Sequence, residues 1–310
     1  MSKDESNPIH PSGVLLRPEP RARSGRRAGG TWKRFWRARD AIAGAVVALI
    51  LLACAVFSPQ LAAFDPNDQE LMRSMRPPAS YAGGMWETPL GTDFLGRDIL
   101  SRVIFGSRVS LAVGLGGVLL AATLGSLLGM LGAYWGGLLD RVVCWIVDTM
   151  LGMPYLLFVI VVIGVIGPSL LNVIIVLGFA DFPIFARMIR GEMLAIKEKE
   201  YVQAAVAIGA RPFSILRRHM LVNTAPTLIT LVTFEMAAMI LYESGLGFLG
   251  LSVPPGVPSW GNMLSEGRSH LTTAWWLATF PGLAVMVTSL GINLLGEWLR
   301  VELDPHQRGR

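Results

Sequence analysis

Four acidic residues fall inside or at the edge of long apolar runs: Asp148, Asp181, Glu235 and Glu243. An aspartate at the centre of a bilayer costs around 2.5–3.5 kcal/mol on insertion scales, so each needs a partner, a bundle interior or water beside it. The chemistry open to such groups is holding or passing polar and cationic solutes. Glu235 and Glu243 stand eight residues apart, so at roughly 100° per residue they share one side of a helix and could line a single water-filled path; a buried polar network is the alternative. Asp148 has Arg141 one to two turns away, and an ion pair between them would make it structural. No side chains are arranged for catalysis. The four histidines, His10, His219, His270 and His306, lie outside the apolar runs, which leaves neither a metal site at membrane depth nor a His-based proton relay. Cys54 and Cys144 each sit in an apolar run and form no disulfide framework or paired metal motif. No glycine is followed by lysine, so the phosphate-cradling Gly-Lys-Ser/Thr loop is absent and any work must draw on a partner's energy.

These carboxylates must be positioned by membrane-spanning helices. Hydrophobic residues make up 52% of the 310-residue chain and charged residues 16%, against about 25% charged in a soluble domain. The mean hydropathy is +0.51. Uncharged runs long enough to cross a bilayer predict an all-α polytopic membrane protein with six spans, at 41–57, 109–135, 142–166, 169–186, 225–251 and 275–299. Asp181 and Pro183 interrupt the fourth. Pro154 and Pro281 permit kinks, whereas Pro226 is expected in the first turn of the fifth span, where proline costs nothing. Gly125 with Gly129, and Gly132 with Gly136, let the second span pack closely against a neighbour. The net charge of +5 is concentrated in residues 1–39, which carry +7 while the remainder carries −2. The basicity therefore belongs to a tail and not to a nucleic-acid surface; over 1–31 it is expected to be disordered, with affinity for anionic lipid. With the N-terminus inside, 21 of the 27 Lys/Arg fall in cytoplasmic segments, so both termini are expected in the cytoplasm. Leu51-Leu52-Ala53-Cys54 has the form of a lipoprotein lipobox, but the apolar run continues past the cysteine and the basic region before it is about twice the usual length.

The segment 187–223 is too polar to insert and too long for a turn. Good helix formers fill 198–208, Gly209 offers the left-handed conformation that ends a helix, and 211–221 resumes, which predicts two short helices at the cytoplasmic face. Ala204, Ala205 and Ala207 make one surface small enough for another protein to dock closely; an amphipathic helix among lipid headgroups is the alternative. Glu200-Tyr-Val-Gln-Ala-Ala-Val-Ala-Ile-Gly209-Ala, followed by Ile215 and His219-Met-Leu-Val-Asn223, resembles the EAA loop of binding-protein-dependent ABC permeases. Three further stretches resemble the C-type subunit of dipeptide/oligopeptide/nickel permeases. They are Pro89-Leu-Gly-Thr-Asp-Phe-Leu-Gly-Arg-Asp98 with Leu100-Ser-Arg102, Gly245-Leu-Gly-Phe-Leu-Gly-Leu with Pro254-Pro and Pro258-Ser-Trp-Gly261, and Asn293-Leu-Leu-Gly296 with Leu303-Asp-Pro305. The likeness spans about Trp32 to Pro305, and the Asp93/Arg97/Asp98 stretch is its most specific part. Val222, Val206 and Ser252 depart from the pattern, standing where proline, a charged residue and glycine are usual.

The resemblance implies a type I ABC importer transmembrane domain: one permease subunit of a bacterial inner-membrane importer of short peptides, with nickel chelates or other small solutes as alternative cargo. It implies a coupling helix over 200–209 docked on a cytosolic ATPase, with Glu200, Tyr201, Ala204, Ala205, Gly209 and Ala210 as the coupling residues. Glu235 and Glu243 remain the pathway residues. The implied partners are a homologous second permease subunit, two cytosolic ATPase subunits that use ATP, and an extracytoplasmic substrate-binding protein; no cofactor is expected on this chain, and it is expected not to be an enzyme. The expected organisation is the tail 1–31, a first span with periplasmic segment 32–107, a permease core 108–299 with its coupling loop at 187–224, and a cytoplasmic end 300–310. A secondary transporter is the runner-up; it lacks support from any inverted repeat.

Overall fold

A computed structural model describes residues 34–303; the expected disordered tail lies outside the described residues. Among them the only extended pairing is a single bridge between Thr92 and Asp98. The helices are α1 (Arg39–Leu61), α2 (Ile99–Trp135), α3 (Gly137–Leu151), α4 (Tyr155–Ile166), α5 (Leu170–Lys197), α6 (Glu200–Ala207), α7 (Pro212–Phe248), α8 (Trp260–Arg268) and α9 (Trp276–Leu303). Five of them, α1, α2, α5, α7 and α9, are long and apolar enough to cross a membrane, and the bent pair α3 and α4 is long and apolar enough to be a sixth span when the two are counted together.

Each departure from the expected spans has a local cause. The 142–166 span is two helices meeting at 88°, because Pro154 cannot continue the ladder and sits in an extended conformation just before α4. The fourth span is not interrupted: α5 runs through Asp181 and Pro183 to Lys197, packed along α2. Pro226 lies deep inside α7 and not in its first turn, since the second short helix expected at 211–221 is the foot of α7, joined through a π turn at Leu216–Met220. α2 starts at Ile99, earlier than 109, because both arginines of its first turns have partners: Arg102 is buried among carboxylates, and Arg108, on the exposed side, donates from Nε to Ala55 O at 2.9 Å. At about 1.5 Å per residue α2 reaches roughly 55 Å against a hydrocarbon core near 30 Å, so its first turns stand outside the membrane.

Glycines bring the helices together where lipid offers no hydrophobic drive. A Cβ on Gly125 would lie 2.4 Å from Phe182 O, and one on Gly129 2.6 Å from Ala186 O, so the α2 and α5 backbones touch. The outer rim of α1, with Val46, Leu49, Ile50 and Val56, is left exposed, as a lipid-facing surface is. The described chain ends beside its start, as an even number of crossings requires: Arg34 pairs with Glu302 at 3.5 Å and the rings of Phe35 and Trp298 stand 5.1 Å apart. That end also carries α6, while residues 62–98 and α8 form the other.

Candidate functional site

Three constellations stand out, one at each end of the bundle and one within it. At the α6 end, Glu200 lies in the first turn of the helix, where a negative charge complements the helix dipole. Gly209 closes the helix with φ +76°; its N–H donates to Val206 O at 3.0 Å and that of Ala210 to Ala205 O at 3.0 Å, the paired bonds of a Schellman cap. Val202 and Ala205 face inward, packed with Ala133 of α2, Ile189, Met193 and Ile196 of α5, and Ile215 and Met220 of α7. The expectation that Ala205 lies on the docking surface is therefore corrected: 202 and 205, three residues apart, share the buried stripe. The outward face holds Tyr201, Ala204, Val206, Ala207 and Ile208, continued by Phe213, and Ile208 and Phe213 are 85% and 72% exposed. Lys197 Nζ donates to Ala133 O and Tyr134 O, and Arg190 grips Asp140 through two bonds of 2.6 and 2.7 Å, so the feet of α2, α3 and α5 are tied around α6.

Within the bundle, the four carboxylates do not share one path. Eight residues are two turns plus about 80°, and that offset sends Glu235 and Glu243 to different neighbours. Glu243 is 0% exposed, accepts a hydrogen bond from Ser252 Oγ at 2.7 Å and is surrounded by Ser110, Ser244 and Ser259. It has no open surface on this subunit. Glu235 is half-buried and lies within Coulombic reach of Asp181, Tyr155 and Tyr242. Asp148 pairs with Arg187 of α5 at 2.6 Å, and not with Arg141; both partners are largely exposed.

At the opposite end, Asp93 Oδ2 accepts from Arg97 Nε at 2.6 Å and from Arg102 Nη1 at 2.7 Å, while Glu266 Oε2 of α8 accepts from Arg97 Nη2 at 2.9 Å and from Arg102 Nη1 at 2.6 Å. Two cations and two anions thus form a closed lattice joining residues 93–97, α2 and α8. Asp98 caps α2, accepting from Ser101 N and Oγ; burial raises its carboxyl above the ordinary value while those bonds oppose the rise. Trp276 Nε1 donates to Thr92 O at 3.1 Å and Trp260 Nε1 to Val103 O at 2.9 Å. Gly247 and Gly261 press α7 against α8, a Cβ on the first lying 2.7 Å from the Cα of the second. Sequence reasoning singled out Asp93, Arg97 and Asp98 but missed Glu266, whose one signal is its place in a helix opened by the cap Ser259.

The family model described as binding-protein-dependent transport system inner membrane component matches residues 121–309, and that of the N-terminal TM domain of oligopeptide transport permease C matches residues 28–78. The chain belongs to the binding-protein-dependent transport system inner membrane components. Relatives of this permease include the di/tripeptide transport system permease protein DppC of Pseudomonas aeruginosa, 35% identical over 88% of this chain and 90% of the relative. The dipeptide transport system permease protein DppC of Haemophilus influenzae is 38% identical over 88% and 93%. The glutathione transport system permease protein GsiD of Pectobacterium atrosepticum is 36% identical over 88% and 89%. The fold is similar to a chain from inward-facing crystal structures of the MetNI methionine ABC transporter, with TM-score 0.54 and 20% identity over 66% of this chain and 96% of that chain. The permease is thus a multi-pass transport subunit of an ABC transporter, and the longer family match takes in α6 together with most of the packing beneath it.

Proposed function

We propose that this permease forms half of the transmembrane pathway of an ATP-driven importer of short peptides. Its companions are a homologous second permease subunit, two cytosolic ATPases that hydrolyse the ATP and an extracytoplasmic binding protein, with both termini of this chain in the cytoplasm. The observation that carries the reading is α6: a short, Schellman-capped helix seated by Val202 and Ala205 on the feet of α2, α5 and α7, with an outward face of Tyr201, Ala204 and Ile208. A helix held on one side and bare on the other suits a lever that a cytosolic protein grips. A headgroup-resting helix would need no rigid cap. The names of the peptide, dipeptide and glutathione relatives support the cargo class. Glu200 to Ala210 act as the coupling segment, while Glu235 alone of the two expected pathway carboxylates keeps some exposed surface on this subunit. The test is reconstitution of the complex in vesicles: ATP-dependent accumulation of a labelled dipeptide supports the reading, and its absence alongside uptake of a nickel chelate would transfer the permease to the alternative cargo.

A further inference from the structure

The elbow between α3 and α4, with α5 and α7, borders an open-sided cavity of about 290 Å³ lined by Met150, Met153, Tyr155, Asp181 and Tyr242, among others. Asp181 is 1% exposed and its Oδ2 has no hydrogen-bond partner, so a carboxylate that is costly to bury borders this space without a counter-charge. Glu235 lies seven residues before Tyr242 on α7, which at roughly 100° per residue returns it to the same face two turns away. The rings of Tyr155 and Tyr242 stand 4.6 Å apart, both within Coulombic reach of Asp181 and lining the same cavity. No lysine, arginine or histidine lines the cavity. The two half-helix ends meeting at the elbow oppose each other, the C-terminus of α3 being negative and the N-terminus of α4 positive, so the carboxylates set the sign of the site.

A volume just below the range of small-ligand pockets suits one end of a small solute. A buried carboxylate in the lining, a second within Coulombic reach and aromatic rings beside them suit a monovalent ammonium. Among the described residues there is no group of three metal-ligating side chains, so the arrangement does not suit a bare metal ion. We propose that this cavity receives the amino-terminal ammonium group of the peptide in transit, with Asp181 as the counter-charge in the lining, Glu235 adding negative charge from beyond it, and Tyr155 and Tyr242 as walls; the proposal rests on the peptide reading above.

The experiment uses the complete complex in vesicles and a transported dipeptide carrying a photoreactive diazirine on either its amino-terminal or its carboxy-terminal residue. Illumination during turnover of the unmodified complex should give adducts at Met150, Met153 or Tyr155 from the amino-terminal probe, and fewer from the carboxy-terminal one. Asp181→Asn should remove those adducts and lower uptake at saturating binding protein about tenfold, the effect of one lost charge-assisted contact, with assembly unchanged. Tyr242→Leu should lower uptake less. Adducts elsewhere, or parental uptake by Asp181→Asn, refute the inference while leaving the peptide reading standing. Loss of the second permease subunit from the purified Asp181→Asn complex also refutes it, since Asp181 would then be paired with that subunit. An unmodified complex that accumulates no peptide refutes both.

Discussion

Ala204 and Ala205 are neighbours in sequence and opposites in space. Ala204 stands on the open face of α6, whereas Ala205 is enclosed by α5 and α7, so equal enlargements should act by different routes. Ala205→Phe overpacks the seat and should cost about 1–3 kcal/mol, read as a lower midpoint of thermal unfolding of the detergent-solubilised subunit. Ala204→Phe should leave that midpoint unchanged and weaken co-purification with the ATPases; equal midpoints for the two would remove the inside-outside assignment. Gly209 tests the same segment differently. Nothing lies within 4 Å of where its Cβ would be, so Gly209→Val acts through φ +76° alone and should cost on the order of 1–3 kcal/mol. The expected result is inserted complex whose ATP hydrolysis continues while uptake falls, and parental uptake would deny the coupling role. The glycine was legible in the sequence because a helix end is a local matter. The orientation of Ala205 was not, because it depends on α2, α5 and α7 arriving beneath it. Glu243 shows the same limit: its distance from Glu235 is plain in the sequence, but the residual 80° matters only once Ser252 is known to fold back beside it.

At the scale of elements, apolar runs gave every crossing, and errors gathered where a helix does something besides cross. α2 is long because its first turns carry Arg102 into a lattice of charges that no hydropathy count anticipates, and the lattice partner Glu266 is distant in sequence. Such a lattice contributes position more than net stability, since desolvating four charges offsets much of their attraction. Removing one member is another matter. Arg102→Met leaves Asp93 and Glu266 facing each other with Arg97 alone between them, and should cost about 3–5 kcal/mol, loosening α8 from α2. The double variant Arg102→Met with Glu266→Gln should recover part of that loss. A cycle in which the two changes simply add would show that the lattice does not couple these elements. Pro154, read in the sequence as a kink, makes a full elbow, and the carbonyl it would otherwise leave free, that of Met150, accepts from Met153 N at 3.2 Å.

For the whole molecule, the remaining question is which end of the bundle faces the cytoplasm. The family settles that the permease is a multi-pass membrane protein, and the fold places both described ends of the chain on the α6 side, away from residues 62–98 and α8. Charge supplies the direction: basic residues crowd the α6 end, where they resist translocation. The few arginines of the opposite end behave differently, since Arg97 and Arg102 are neutralised within the protein by Asp93 and Glu266 and present little free charge to hold that end inside. This gives the orientation a sharp test on two equally exposed positions, Trp86 and Ile208, each 85% accessible. After Cys54 and Cys144 are replaced by alanine, Trp86→Cys should react with a membrane-impermeant maleimide in intact spheroplasts, and Ile208→Cys only after permeabilisation. The reverse pattern would put α6 outside, beyond reach of any cytosolic ATPase, and would remove the coupling helix, the importer and the peptide path together.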